Sequence, residues 1–317
     1  RLLAEGHRVY GVDNLNTYYD VQLKRDRLKQ LQGCPNFTFE RLDLADRDAT
    51  ARLFRSNSFN SVVHLAAQGG VRYSIENPYA YSDSNLVGFL HVLEGCRHSQ
   101  IQHLLFASSS SVYGANRKVP FAVEDNVDYP VSLYAATKKA NELMAHAYSH
   151  LYQIPMTGLR FFTVYGPWGR PDMAYFKFVD AIAKGRPIQV YNHGQMRRDF
   201  TYVDDVVEGI LRLMPTPPTL ETTQTGDSQS NALYKIYNIG NHSPVTLLDF
   251  IQVIEQAMGK KAEKIMLPMQ PGDVPSTYAD VEALMRDAGF QPSTPIAVGI
   301  QRFVDWYQGY YAIAQTG

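Results

Sequence analysis

Tyr134 and Lys138 stand four residues apart in the stretch Pro130-Val-Ser-Leu-Tyr-Ala-Ala-Thr-Lys-Lys-Ala140, downstream of a serine run, Ser108 to Ser111. On a helix, positions i and i+4 stack on one face, so this spacing sets an ammonium beside a phenol. A free tyrosine titrates near about 10 and is a poor base at neutral pH. A neighbouring cation favours the phenolate, and a bound oxidised nicotinamide would add a second positive charge. Lowering the phenol by roughly three units corresponds to about 4 kcal/mol of differential stabilisation. The serine hydroxyls would share the proton leaving a substrate alcohol. Alcohol oxidation is the chemistry these residue types suit. Tyr-x-x-x-Lys alone occurs on many amphipathic helices by chance; the serine run continuing into Val112-Tyr113-Gly114 gives it weight.

Such a pair must be carried by an ordered scaffold. The chain has 317 residues, 45% hydrophobic and 19% charged, enough for one large domain and a smaller lobe. A formal net charge of −1 gives no electrostatic reason for a nucleic acid partner. Cys34 and Cys96 are too few for a disulfide framework and lack metal-ligand spacing, so thiols in a reducing, cytoplasmic setting and no metal site are expected. No apolar run reaches the roughly 18 residues of a membrane span, and no signal peptide is expected.

The alternation of strand-like and helix-like segments predicts an α/β fold with a doubly wound parallel sheet. Expected strands are Val9 to Val12, Phe37 to Leu42, Ser61 to Ala66, His103 to Ala107 and Met156 to Phe161. Helices are expected over Tyr79 to Cys96 and Leu133 to His150. Residues 1–164 are expected to form the nucleotide-binding domain and 165–317 mainly the second lobe, with segments near 200–214 and 234–258 returning to the first. Pro215 to Asn231 reads as a polar surface insertion. Arg1 to Arg8 reads as the tail of a helix with Gly6 at its C-cap, which predicts that a first strand and its glycine turn are missing from this sequence.

Ligands in such sheets bind at the carboxyl ends of strands. Asp13 ends one strand, where a carboxylate accepts hydrogen bonds from an adenosine ribose and disfavours a 2′-phosphate; the alternative is a turn cap formed with Asn14. Asp43-Leu44 would flank the adenine, or Asp43 would cap the following helix. Leu65, Ala66 and Ala67 close an apolar strand on small residues that let backbone approach a cofactor. His64, inside that strand, reads as a core histidine. Asn85 and the strand-end Phe161 complete the candidate cofactor set.

Taken together, Ser108 to Gly114, Tyr134 to Lys138, Leu159-Arg-Phe-Phe-Thr-Val-Tyr-Gly-Pro167 and Arg197-Arg-Asp-Phe-Thr-Tyr-Val-Asp-Asp205 resemble the extended short-chain dehydrogenase/reductase family. Gly166-Pro-Trp-Gly-Arg-Pro-Asp-Met173 and Gln270-Pro-Gly-Asp-Val274 narrow the resemblance to nucleotide-sugar epimerases, most closely UDP-glucuronate 4-epimerases. That resemblance implies NAD as cofactor, a UDP-sugar as substrate and a homodimer built on the two long helices. It implies Tyr134 as base, Lys138 as the residue that tunes it and holds the nicotinamide ribose, and Ser109 as proton relay. Relatives that dehydrate or decarboxylate sugars carry acids near Ser110 and Ser111, and galactose-type epimerases carry asparagine at Thr163; neutral hydroxyls at Ser109, Ser110, Ser111 and Thr163 suit a sugar carboxylate. Arg198 is expected on the diphosphate, with a salt bridge to Asp204 or Asp205 as its alternative. Gln189 and Tyr191 resemble uracil contacts, Asp273 a ribose ligand or an Asx turn, and Arg170 a residue ordering the loop over the sugar. A neutral-sugar 4-epimerase and a catalytically silent sugar-nucleotide-binding chain remain as alternatives.

Overall fold

The computed structural model describes residues 1–223, 231–270 and 272–311. Along the first half, β1 (Val9–Asp13), α1 (Val21–Lys29), β2 (Phe37–Arg41), α2 (Arg47–Ser56) and β3 (Ser61–His64) alternate. Single turns α3 (Tyr73–Glu76) and α4 (Pro78–Tyr81) lead through a π-helical stretch, Ser82–Val87, into α5 (Gly88–His98). β4 (His103–Ser109), α6 (Leu133–Tyr152) and β5 (Met156–Phe161) follow. Next come β6 (Thr163–Tyr165), α7 (Ala174–Ala183), β7 (Ile188–Val190), β8 (Arg197–Tyr202), α8 (Val203–Leu213) and the turn α9 (Leu220–Thr223). The chain continues through β9 (Tyr234–Ile239), β10 (Pro244–Thr246), α10 (Leu247–Met258), β11 (Lys264–Met266), α11 (Glu282–Ala288) and α12 (Ile296–Tyr311).

The main sheet runs β3-β4-β5-β9, all parallel, while β1 pairs in parallel with β2 in a separate ladder. β4 is buried on both faces because helices cover each side, which is why Leu104, Leu105 and Phe106 run as consecutive apolar residues. Phe54, Phe89, Leu93 and Met156 fill the layer under α2 and α5. Val206, Ile210 and Leu284 fill the opposite layer under α8 and α11. Both elements of the reacting pair therefore rest on a sheet held from two sides.

The second lobe gathers β6, β8 and β10, the pair β7–β11, and helices α7, α10 and α12 around Phe176, Phe200, Phe250 and Phe303. Phe200 stacks on Phe250 with ring centroids 4.0 Å apart. The segment near 234–258 divides between the layers. β9 joins the main sheet beside β5, whereas α10 turns Phe250, Ile251 and Ile254 into the second core and packs on α7 and α12. Residues 200–214 divide similarly: β8 pairs with β6 and β10, and α8 packs under the main sheet. Each helix follows its apolar stripe rather than its neighbour in sequence. Within the polar stretch expected over 215–231, residues 224–230 lie outside the described residues, and α9 forms one turn before them.

Candidate active site

Ser132 starts α6 by accepting the backbone N–H of Ala135 at 3.1 Å, which fixes where the helix begins and hence where Tyr134 points. Ser109, at the end of β4, accepts the N–H of Ser111 at 3.1 Å, and its side chain lies close enough to the Tyr134 phenol to favour the phenolate. Burial pushes the Tyr134 phenol up, while Ser109 and the guanidinium of Arg170 pull it back. The sequence expectation set the Lys138 ammonium directly against this phenol. In the structure Lys138, only 2% exposed, instead donates from Nζ to the carbonyl of Ala107 at 2.9 Å, and burial lowers it to about 8. The helix turns both residues toward β4, and the strand's backbone competes successfully for the ammonium; Arg170 is the cation that acts on the phenol.

Arg170 reaches this position over Gly69. A Cβ at residue 69 would stand 2.0 Å from Arg170 Nη1, so only glycine admits the guanidinium there. Asp172 pairs with Arg170 at 3.2 Å and also accepts from the Tyr18 hydroxyl at 3.2 Å.

Ser110, Ser111, Thr163, Arg198 and Asp273 line one cavity of about 140 Å³, together with Val71, Tyr113 and Thr277. Arg198 makes no ion pair with Asp204 or Asp205; Nη1 donates to the carbonyls of Arg197 and Pro275, and Asp205 accepts the N–H groups of Ser293 and Thr294. Burial lowers the Arg198 guanidinium, opposed by Asp273 and reinforced by Arg72. Gln189 and Tyr191 sit together, the Tyr191 hydroxyl donating to Gln189 Oε1 at 2.6 Å. Sequence reasoning passed over Arg72, which pairs with Asp273 at 3.0 Å and lies over the Tyr191 ring at 4.7 Å. It touches two of the candidate nucleotide ligands. Its partner is 201 positions away in the chain, and no local spacing announces that contact.

On the other side of the strand ends, Asp13 accepts the N–H of Leu15 at 2.6 Å, and Asn14 donates to Asp43 at 3.0 Å. The turn expected as an alternative for Asp13 is therefore present, with the carboxylate still exposed. Asp43 accepts the N–H of Ala45, and Asp46 rather than Asp43 caps α2. Leu44 is partly buried against the α5 layer, and its carbonyl accepts from His91. Leu65, Ala66 and Ala67 are exposed where β3 ends. Two candidates lie differently from expectation. Asn85 is buried, its amide engaged by both backbone groups of Gln68 and by Thr137, so it ties the loop after β3 to α6. The Phe161 side chain packs into the core layer under α8. His64 is a core residue against Phe89, held neutral as burial lowers it to about 3.

The profile of the NAD dependent epimerase/dehydratase family matches residues 1–240. The chain belongs to this family. Its relatives within the family include Protein CapI of Staphylococcus aureus, 57% identical over 98% of this chain and 94% of that protein. A probable UDP-glucuronate 4-epimerase of Rhizobium meliloti is 50% identical over 100% of this chain and 94% of its own length. Among solved structures, UDP-glucuronic acid 4-epimerase from Bacillus cereus, in complex with UDP-glucuronic acid and NAD, superposes with a TM-score of 0.87 at 30% identity, covering 98% of this chain and 94% of that one. Within the NAD dependent epimerase/dehydratase family, a Rossmann-like parallel sheet with a smaller α/β lobe is thus the frame that holds Tyr134, Ser109 and the cavity. Among the described residues no group of His, Cys, Asp and Glu is placed to hold a metal ion, and no helix is long and apolar enough to cross a membrane.

Proposed function

We propose that this chain catalyses the NAD-dependent 4-epimerisation of UDP-glucuronate to UDP-galacturonate. The observation that carries the reading is the cavity itself: the neutral hydroxyls of Ser110, Ser111 and Thr163 share it with the guanidinium of Arg198 and the carboxylate of Asp273. Hydroxyl donors accept a sugar carboxylate without repelling it, and a guanidinium forks onto phosphate oxygens. The Rhizobium meliloti relative and the Bacillus cereus enzyme carry the same activity in their names.

The strand ends fit NAD. Leu65 is 54% exposed beside Ala66 and Ala67, an apolar strand end that a planar ring would cover, and the exposed Asp13 carboxylate faces solvent as a ribose acceptor. Asp13, Asn14, Asp43, Leu44, the Leu65–Ala67 backbone and Lys138 would hold the cofactor. When bound, NAD supplies the two-electron oxidation at C4 and its reversal. Tyr134 takes the proton of the C4 hydroxyl, with Ser109 sharing it, and C4 becomes a ketone. Arg198, Asp273, Gln189 and Tyr191 keep the UDP portion anchored while the keto sugar turns over. Tyr134 then gives the proton back as C4 is reduced from its other face.

We further assign a homodimer across α5 and α6, supported by exposed Leu90, Leu143 at 60% and Leu151 at 65% on those helices. A cytoplasmic site of action is supported by the two free thiols. Incubation of the purified protein with UDP-glucuronate and NAD, followed by separation of the uronic acids, tests the reaction. A mixture of UDP-glucuronate and UDP-galacturonate is expected. Conversion of UDP-glucose but not UDP-glucuronate would establish a neutral-sugar epimerase instead.

A further inference from the structure

Two consecutive residues of β4 hold α6, and the next one faces it. The carbonyl of Ala107 accepts Lys138 Nζ at 2.9 Å, and the hydroxyl of Ser108 donates to Glu142 Oε1 at 2.6 Å. The side chain of Ser109 favours the ionised form of the Tyr134 phenol. Tyr134, Lys138 and Glu142 follow one another at four-residue intervals, so one broad helical face lies on one strand end and is tied to it twice. One of these ties holds Lys138 of the reacting pair. Glu142 touches neither substrate position nor cofactor position, yet it is the residue with the most elaborate support.

Glu142 and Arg160 of β5 are 2% and 3% exposed and form a two-pronged pair, Nε to Oε1 at 2.8 Å and Nη2 to Oε2 at 2.9 Å. Arg160 Nη1 donates onward to the Tyr113 hydroxyl and to the Val123 carbonyl, each at 3.1 Å. The Tyr113 hydroxyl donates to Asn238 Oδ1 at 2.6 Å, and its ring lies under the guanidinium at 4.9 Å. Tyr113 also lines the substrate cavity. Buried ion pairs of this kind are often replaceable by apolar residues with no loss of stability, so stability is a weak reason for their presence. What a fork-on-carboxylate contact supplies that apolar packing does not is direction: one rotation and one axial offset.

We propose that the Glu142–Arg160 pair is a positioning device for the epimerase reaction. It fixes α6 against the ends of β4 and β5 so that Tyr134 faces the end of β4, and through Tyr113 it holds the cavity wall in the same register. The proposal rests on Tyr134 being the base. A misplacement of about 1 Å costs on the order of 10²-fold in rate, so small freedom in α6 is enough to matter.

The test uses the full chain with NAD. Glu142→Leu combined with Arg160→Met removes both charges together, so neither is left buried alone, though the Ser108 hydroxyl, the Val123 carbonyl and Lys139 each lose a partner; it is expected to fold and to keep its affinity for UDP while kcat falls roughly 10²-fold. Arg160→Lys keeps the charge but loses the fork, and Ser108→Ala cuts only the tether to the strand. Each is expected to lower kcat about tenfold with KM unchanged, Arg160→Lys retaining more activity than Arg160→Met. If the double variant does not fold, these two single variants decide the matter. Folded variants with kcat within threefold of the parent, or losses that only track melting temperature, overturn the proposal. Tyr134→Phe is run alongside: an inactive Tyr134→Phe with active network variants sinks the positioning role alone, whereas an active Tyr134→Phe sinks the reading of the base.

Discussion

The two ends of the cleft are built by opposite means. At the reaction end, Lys138, Ser108, Glu142 and Arg160 are buried and satisfied by fixed partners from β4, β5 and α6. At the nucleotide end, Arg72, Arg198, Asp273, Gln189 and Tyr191 are at least partly exposed; Arg72 pairs across the lobes with Asp273 and the Tyr191 ring, Tyr191 donates to Gln189, and Arg198 donates to backbone carbonyls. A proton transfer tolerates little error in distance, so its groups sit on strands and a long helix. A charged nucleotide is gripped by groups whose present partners can be exchanged for its oxygens. Damage at the first end should therefore appear in kcat, and damage at the second in binding.

The largest expected effect is at the reaction end. Tyr134→Phe should lower kcat by roughly 10³-fold, within the usual span of acid–base catalysis, while UDP binding holds; equilibrium binding and turnover measured on the same sample check the split. Arg198→Met should weaken UDP-sugar binding by about 10- to 100-fold, the worth of a charged hydrogen-bonded contact, and leave kcat near the parent value. Calorimetric titration with UDP reads this, and a pure kcat defect would collapse the contrast between the two ends.

Arg170→Met sharpens the comparison through pH. Arg170 lowers the Tyr134 phenol, so its removal raises that group further above its ordinary value. A base active as phenolate gains activity as pH rises through its titration, and the ascending limb of the kcat profile should therefore move to higher pH. An unchanged limb would detach Arg170 from the base. The smallest effect is expected for Arg72→Met. Loss of its pairing with Asp273 should weaken UDP binding by about three- to tenfold, typical of a partly exposed ion pair that is exchanged rather than simply broken.

Much of this was legible in the chain. Apolar runs such as Met156 to Phe161 marked the strands, and the four-residue spacing of Tyr134 and Lys138 after the serine run marked the reaction end. What local spacing hid is where side chains spend their hydrogen bonds. Asn85 looked free to reach a cofactor, but Gln68 and Thr137 occupy its amide. Lys138 looked placed against the phenol, but the Ala107 carbonyl holds it. Signals for the network did exist. Glu142 continues the interval set by Tyr134 and Lys138, and Arg160 is a charge inside an otherwise apolar strand, which burial tolerates only with a partner. Arg72 had no such signal, since its contacts arise only when the lobes fold together.

The central claim is that Tyr134 serves a reversible oxidation at C4 of a uronic acid sugar. UDP-glucuronate carrying deuterium at C4 tests it most directly, by mass spectrometry of the UDP-galacturonate formed in ordinary water. The account predicts that the deuterium stays in the product, because the hydrogen removed from C4 is returned to C4. Loss of the label to solvent, or no UDP-galacturonate at all, would contradict it.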